Sequence, residues 1–95
     1  MSLEERYPDL ANFIGAWFPE ADLDALSDEE VAVRFCQATS PENLASVLGQ
    51  GRSLITRMDD FWQELGTEGN RHFASAHEAH RWLNEILEAL ERFQT

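Results

Sequence analysis

The stretch SPENLASVLGQGRSLITRMDDFWQELG, residues 40–66, decides the fold class. Its apolar residues recur at the three- and four-residue spacing of one helix face. They are Leu44, Val47, Leu48, Leu54, Ile55, Met58, Phe61, Trp62 and Leu65. Because this stripe keeps one phase, the spacing predicts a single helix over residues 41–65, which begins after Ser40 and stops at Gly66.

Two glycines interrupt the predicted helix. Gly49 and Gly51 each cost about 1 kcal/mol relative to alanine inside a helix, so a kink at this point is the alternative. Gly51 lies on the apolar stripe itself, where the missing side chain allows a neighbouring helix to approach closely.

Helical spacing continues along the rest of the chain, and no segment of strict alternation rises above it. Pro8 is predicted to open the first helix, because a helix N-terminus leaves its first N–H groups unbonded, and Pro19 to end it. Helices are predicted near residues 8–18, 28–37, 41–65 and 76–93. The chain is therefore predicted to be all-α, with about four helices in a bundle-like arrangement.

Two capping boxes support the helix starts. Ser27 with Glu30, and Ser75 with Glu78, have the spacing at which a hydroxyl and a carboxylate each accept a hydrogen bond from the other residue's backbone N–H. Gly69 and Asn70 are predicted to form a turn between the last two helices.

The 95 residues suffice for one domain and are too few for two. We expect residues 1–95 to form one compact domain with a single core. The core is predicted to collect Phe13, Trp17, Phe35, Leu48, Ile55, Phe61, Trp62, Trp82, Leu83 and Ile86.

Charge restricts the partners. The chain has 18 Asp and Glu against seven Arg and no Lys, and its formal net charge is -11. Such a field repels phosphate backbones and anionic lipid, so direct binding to nucleic acid or to a membrane is not expected. A basic protein partner is favoured.

Cysteine usage and segment hydropathy indicate the compartment. Cys36 is the only cysteine, which excludes an intramolecular disulfide and fits a reducing environment. The N-terminus lacks the basic and apolar regions of a signal peptide, and no apolar run of about eighteen residues could span a bilayer. We therefore expect a cytoplasmic protein.

Two groups of carboxylates have no cation among them in the sequence. One lies between residues 20 and 30 and the other between residues 59 and 68. The candidates for contact with a basic partner are Glu20, Asp22, Asp24, Asp28, Glu29, Asp59, Asp60 and Glu64. The alternative is that these are solvated faces and helix N-terminal charges, which favourably complement a helix dipole.

The sequence offers little evidence for catalysis or metal binding. His77 and His80 are one helical turn apart, but the motif lacks the spacing of a zinc protease, so we expect solvent-exposed histidines. A metal-dependent enzyme that uses these two residues and His72 remains the third alternative. A calcium loop starting at Asp22 is excluded because Val33 stands where the bidentate glutamate belongs. We predict no catalytic residue, metal or cofactor.

Six pieces of the chain form a set that spans roughly residues 7–90: YPDLANFIGAWF, the acidic DLD, DEEVAVRF, SPENL, ELG and HRWLNEILEAL. Together they resemble the small immunity proteins of bacterial contact-dependent growth inhibition systems. Position by position, the family pattern falls on Tyr7 and Pro8, Trp17 and Phe18, Asp22 and Asp24, Ser40 and Pro41, and Trp82 and Leu83. Leu23 departs from the pattern, which has tryptophan there, and the region 49–68 is shorter than the family's two-part segment.

The resemblance implies a non-enzymatic, all-helical protein. Such a protein binds and neutralises the toxic C-terminal domain of a toxin in the cytoplasm, and many toxins of these systems are nucleases. The expected partner is one basic toxin domain in a 1:1 complex. An acidic helical adaptor or regulatory subunit unrelated to toxins is the alternative function.

Overall fold

The computed structural model describes residues 2–94 and contains six helices and no strand within that range. They are α1 (Leu3–Arg6), α2 (Pro8–Leu23), α3 (Asp28–Ala38), α4 (Pro41–Ile55), α5 (Met58–Gly69) and α6 (Ala76–Phe93). The all-helical class is confirmed, whereas the number of helices is six and not about four. No helix in the described part of the chain is long and apolar enough to cross a membrane.

The first predicted helix ends too early. Helix α2 continues through Pro19 to Leu23, although proline inside a helix removes one backbone hydrogen bond. The extra turn buries Ala21, and it places Asp22 beside groups of the loop that precedes α6. These tertiary contacts outweigh the local preference of proline to end the helix.

The predicted helix over residues 41–65 is wrong because the chain breaks at Thr56 and Arg57, between α4 and α5. Neither Gly49 nor Gly51 causes the break, since both lie inside α4. The Thr56 hydroxyl donates to the Ser53 carbonyl at 2.7 Å, and the Arg57 N–H donates to Leu54 three residues earlier. Short-range bonds of this kind compete with the four-residue pattern of the α-helix.

The end of α5 also differs from the prediction. Gly66 does not stop the helix; Asn70 does, in the left-handed conformation with φ 54°. The Arg71 N–H then donates to the Gly66 carbonyl at 2.8 Å, as in a Schellman motif. A Cβ atom at residue 66 would lie 2.8 Å from the Arg71 carbonyl oxygen, so glycine is needed there for the returning chain.

Three helices, α3, α4 and α6, begin with the predicted serine caps, which are Ser27, Ser40 and Ser75. The Ser27 and Glu30 box is present in full, and its hydrogen bonds hold the pKa of the Glu30 carboxyl below its usual range. At α6 only half of the predicted box forms, because Glu78 accepts from the N–H of Ala74 and not from that of Ser75. The capping box of the short helix α1 was not predicted.

The core lies around α2 and α6. Helix α2 packs against α1, α3, α4 and α5, and α6 packs against α3, α4 and α5. A chain of ring contacts links six aromatic side chains, in the order Trp17, Phe35, Phe13, Phe18, Trp82 and Phe73. Edge-on and offset contacts of this type add to the stabilisation that burial of each ring provides.

The predicted core is partly correct. Phe13, Phe35, Phe61, Leu83 and Ile86 are buried. The other five residues of the prediction are only partly buried and pack against the core from outside. They are Trp17, Leu48, Ile55, Trp62 and Trp82.

The close helix contact expected at Gly51 is present. Gly51 is buried where α4 crosses α6, and a Cβ atom there would lie 2.5 Å from Cδ2 of Leu87. By contrast, a Cβ atom at Gly49 would meet nothing within 4 Å. The two glycines of α4 therefore have different roles.

Candidate protein-binding surface

The segment from the last turn of α2 to the first turn of α3 carries the first acidic group, and part of it is neutralised by Arg71. Arg71 Nη1 lies 3.0 Å from both carboxylate oxygens of Asp22. Arg71 Nη2 lies 2.7 Å from Oδ1 of Asp28. One guanidinium group therefore joins the last turn of α2 to the first turn of α3.

Neighbouring side chains complete this arrangement, which we call the Arg71 clamp: Arg71, Asp22, Asp28 and Trp82. The Trp82 indole N–H donates to Oδ2 of Asp28 at 2.8 Å. The guanidinium carbon also lies 5.9 Å from the centroid of the Trp82 ring. Arginine is suited to this position because its planar group can bond carboxylates and stack on aromatic rings simultaneously.

The clamp corrects the expectation that the first acidic group is uncompensated. Two of its members, Asp22 and Asp28, are held by a cation from a distant part of the chain. This pairing cannot be predicted from local sequence patterns, because Arg71 is separated from Asp22 by 49 positions. The local signals that predict helices do not show which distant cation meets which carboxylate.

Other carboxylates of the first acidic group are exposed and are not held by Arg71. Glu20 and Asp24 are exposed, and within residues 2–94 their side chains take part in no ion pair or hydrogen bond. Glu29 lies 3.8 Å from Arg92, and both side chains are largely exposed, so this pair is weak. Leu23 stands between these acids with 87% of its surface exposed.

The second acidic group also contains both carboxylates that are free in the described chain and carboxylates that are engaged within the protein. Asp59 and Asp60 lie exposed in the first turn of α5, and neither is paired in the described chain. Glu64 is already engaged, because its Oε2 accepts from the backbone N–H of Leu3 at 2.8 Å. Glu68 lies over the backbone of Gly15, where a Cβ atom would be 2.7 Å from Oε2.

A surface cavity of about 440 Å³ lies beside this second group. It is bounded by Trp62, Gln63, Gly66 and Thr67 of α5 and by residues 70–73. We call it the Trp62 cavity. Its polar edge adjoins the last turn of α2, because the Asn70 side-chain amide donates to Asp22 at 3.0 Å.

The candidates considered for metal binding or nucleophilic chemistry are His72, His77, His80 and Cys36. Within residues 2–94, no three His, Cys, Asp or Glu side chains are close enough to hold a metal ion. His72 and His77 are exposed, whereas His80, which was also expected to be exposed, is partly buried. Burial raises the pKa of the Cys36 thiol, which donates to the Leu90 carbonyl at 3.6 Å. A thiol with a raised pKa is a poor nucleophile at neutral pH.

Comparisons with known proteins give no relative: the chain matches no protein-family model, no curated protein and no solved structure.

Proposed function

We propose that this protein is an immunity protein of the contact-dependent growth inhibition type. It binds the toxic C-terminal domain of a toxin, a nuclease in our proposal, in the cytoplasm and neutralises it without catalysis. The observation that carries the proposal is the set of exposed carboxylates in the two acidic groups that form no ion pair or side-chain hydrogen bond in the described chain. They are Glu20, Asp24, Asp59 and Asp60.

Charge complementarity supports a basic toxin as the partner. A nuclease holds phosphates with cationic side chains, and carboxylates that face those cations replace the charge of the substrate. The net charge of -11 also attracts a basic domain over a distance and speeds association at low salt. Binding in or beside the toxin's active site would exclude nucleic acid in both cases.

The Arg71 clamp decides which variants test the proposal. Reversing the charge of Asp22 or Asp28 would remove an internal contact of the fold and would confuse instability with lost binding. Asp24 and Asp59 are exposed and unpaired in the described chain, so they can be changed to lysine without that complication. Glu42 and Glu88 are exposed residues on α4 and α6 and provide a control with the same change of charge.

The experiment measures association between this protein and the C-terminal domain of the toxin encoded beside it, over a salt series. We expect one tight complex that buries roughly 800 Å² on each side. The Asp24→Lys/Asp59→Lys protein should associate more slowly at low salt than the Glu42→Lys/Glu88→Lys protein. Cells that produce the toxin should survive when they also produce the wild-type protein.

Absence of both binding and protection would contradict the proposal and leave the acidic adaptor as the better hypothesis. Binding that both double variants weaken equally would support the immunity function but contradict the placement of Asp24 and Asp59 in the binding surface.

A further inference from the structure

The Trp62 cavity is bordered by aromatic rings that the core does not bury completely. Trp62 and Phe73 pack against the core but are only partly buried, and both border the cavity. The faces of aromatic rings attract cations, and tryptophan attracts them most strongly. A guanidinium group also stacks on such a ring because it is planar and weakly hydrated.

Negative charge lies at the edge of the same cavity. Asp59 is three residues before Trp62, and Asp60 is three residues before Gln63, so each lies one helical turn from a cavity residue. Both carboxylates are exposed and unpaired within residues 2–94. Asp22 contacts the cavity wall through Asn70, whose side-chain amide donates to it, but Arg71 balances the charge of Asp22.

Arg71 lines the cavity, but its positive charge does not cancel the negative charge of Asp59 and Asp60. Arg71 gives its two terminal nitrogens to Asp22 and Asp28. Its guanidinium lies over the rings of Phe18 and Trp82, at 5.5 and 5.9 Å. The charge of Arg71 is therefore balanced by two carboxylates inside the clamp.

We propose that the Trp62 cavity receives an arginine side chain of the basic partner protein. The guanidinium stacks on Trp62 and lies within the field of Asp59 and Asp60. This inference deepens the proposed function, because it names the side chain by which the partner is held. Tryptophan is also among the residues that most often dominate the energy of protein interfaces.

The first test uses peptides and needs no toxin. A short acetylated Gly/Ser peptide with one arginine is titrated into the labelled protein, and the indole N–H signals are followed by NMR. The matched peptide has citrulline, which keeps the planar shape and lacks the charge. We expect the Trp62 signal, assigned by its loss in Trp62→Leu, to shift with the arginine peptide and to stay in place with the citrulline peptide.

Two exposed double variants test the role of charge at the cavity. Asp59→Asn/Asp60→Asn should weaken binding of the arginine peptide roughly two- to fivefold. Glu42→Gln/Glu88→Gln makes the same change in net charge elsewhere and should leave the affinity unchanged. Equal weakening by both variants, a shift with citrulline, or no shift at Trp62 would overturn the inference.

The second test separates this inference from the proposed function. The toxin C-terminal domain is titrated into the wild-type protein and into Asp59→Asn/Asp60→Asn. Toxin binding that this variant does not weaken would refute the cavity as the arginine site and preserve the immunity function. Arginine-peptide binding at Trp62 without any binding of toxin would refute the immunity function and preserve the cavity.

Discussion

Among the arginines, Arg71 is the one whose replacement should lower the stability of the fold most. From the loop before α6 it contacts two carboxylates and two aromatic rings that lie on α2, α3 and α6, and its side chain is mostly buried. Changing Arg71 to Gln should lower the free energy of unfolding by about 1–2 kcal/mol, because the ion pairs are partly exposed and individually weak. Urea unfolding followed by circular dichroism measures the difference.

Two further variants show whether the geometry of Arg71 matters. Arg81→Gln removes the same charge from an exposed residue that forms no ion pair or hydrogen bond in the described chain, so it should change the stability little. Arg71→Lys keeps the charge but loses the planar fork, so it should restore only part of the stability. Full recovery with lysine would mean that charge alone accounts for the clamp.

Trp82 shows what a sequence pattern does and does not reveal about one residue. Its place on the apolar stripe of α6 was predictable, and the ring does pack against Phe18 and Phe73. Its hydrogen bond to Asp28 was not predictable, because that bond depends on how α3 and α6 pack against each other. The indole is therefore only partly buried, which suits a side chain with one polar group.

Helix α4 offers a matched pair of glycine substitutions. Gly49→Ala should raise the free energy of unfolding by about 0.5–1 kcal/mol, because alanine favours the helix and a Cβ atom there meets nothing. Gly51→Ala should lower it by about 1–2 kcal/mol, because its Cβ would overlap the buried Leu87 side chain. Denaturant unfolding of both proteins gives the sign of each change.

A stabilising Gly51→Ala substitution would show that Leu87 can move aside at little cost. A destabilising Gly49→Ala substitution would show that residue 49 has a role that its open surroundings do not indicate.

At the scale of helices, starts were more predictable than ends. Ser27 and Ser40 cap their helices as predicted, since a cap is a contact between residues three positions apart. The ends depend on distant groups: α2 passes Pro19 to bury Ala21 and to place Asp22 in the clamp. Apolar spacing does not indicate the break at Thr56, because Leu54 and Met58 keep the same phase on either side of it.

The charge of the whole molecule should control its thermal stability. With a net charge of -11, repulsion among carboxylates disfavours the compact state, and salt screens that repulsion. The melting temperature should therefore rise when sodium chloride is increased from about 10 mM to about 0.5 M. Differential scanning calorimetry at pH 7 measures it.

A less acidic variant separates screening from other effects of salt. Neutralising Asp24, Glu42, Asp59 and Asp60 with their amides should reduce the dependence of the melting temperature on salt. A melting temperature that falls with salt in the wild type would mean that internal ion pairs such as those of Arg71 outweigh the general repulsion.

At the scale of the whole molecule, the sequence predicted which residues of the candidate surface are acidic, but not which of them are free to bind a partner. The sequence located the carboxylates, but the structure divides them between those engaged internally, such as Asp28 and Glu64, and those left free in the described chain, such as Asp24 and Asp59. That division arises from contacts between distant helices. The Trp62 cavity arises in the same way, from the chain turning back at Asn70.

The crossing of α4 and α6 has a consequence for the sequences of homologues. Because Leu87 occupies the space that a side chain at residue 51 would need, the volumes at these two positions are coupled. A homologue with alanine or serine at position 51 should carry a smaller residue than leucine at position 87, and the two positions should covary across an alignment. Position 49, where an added Cβ atom would meet nothing within 4 Å, should vary independently of both.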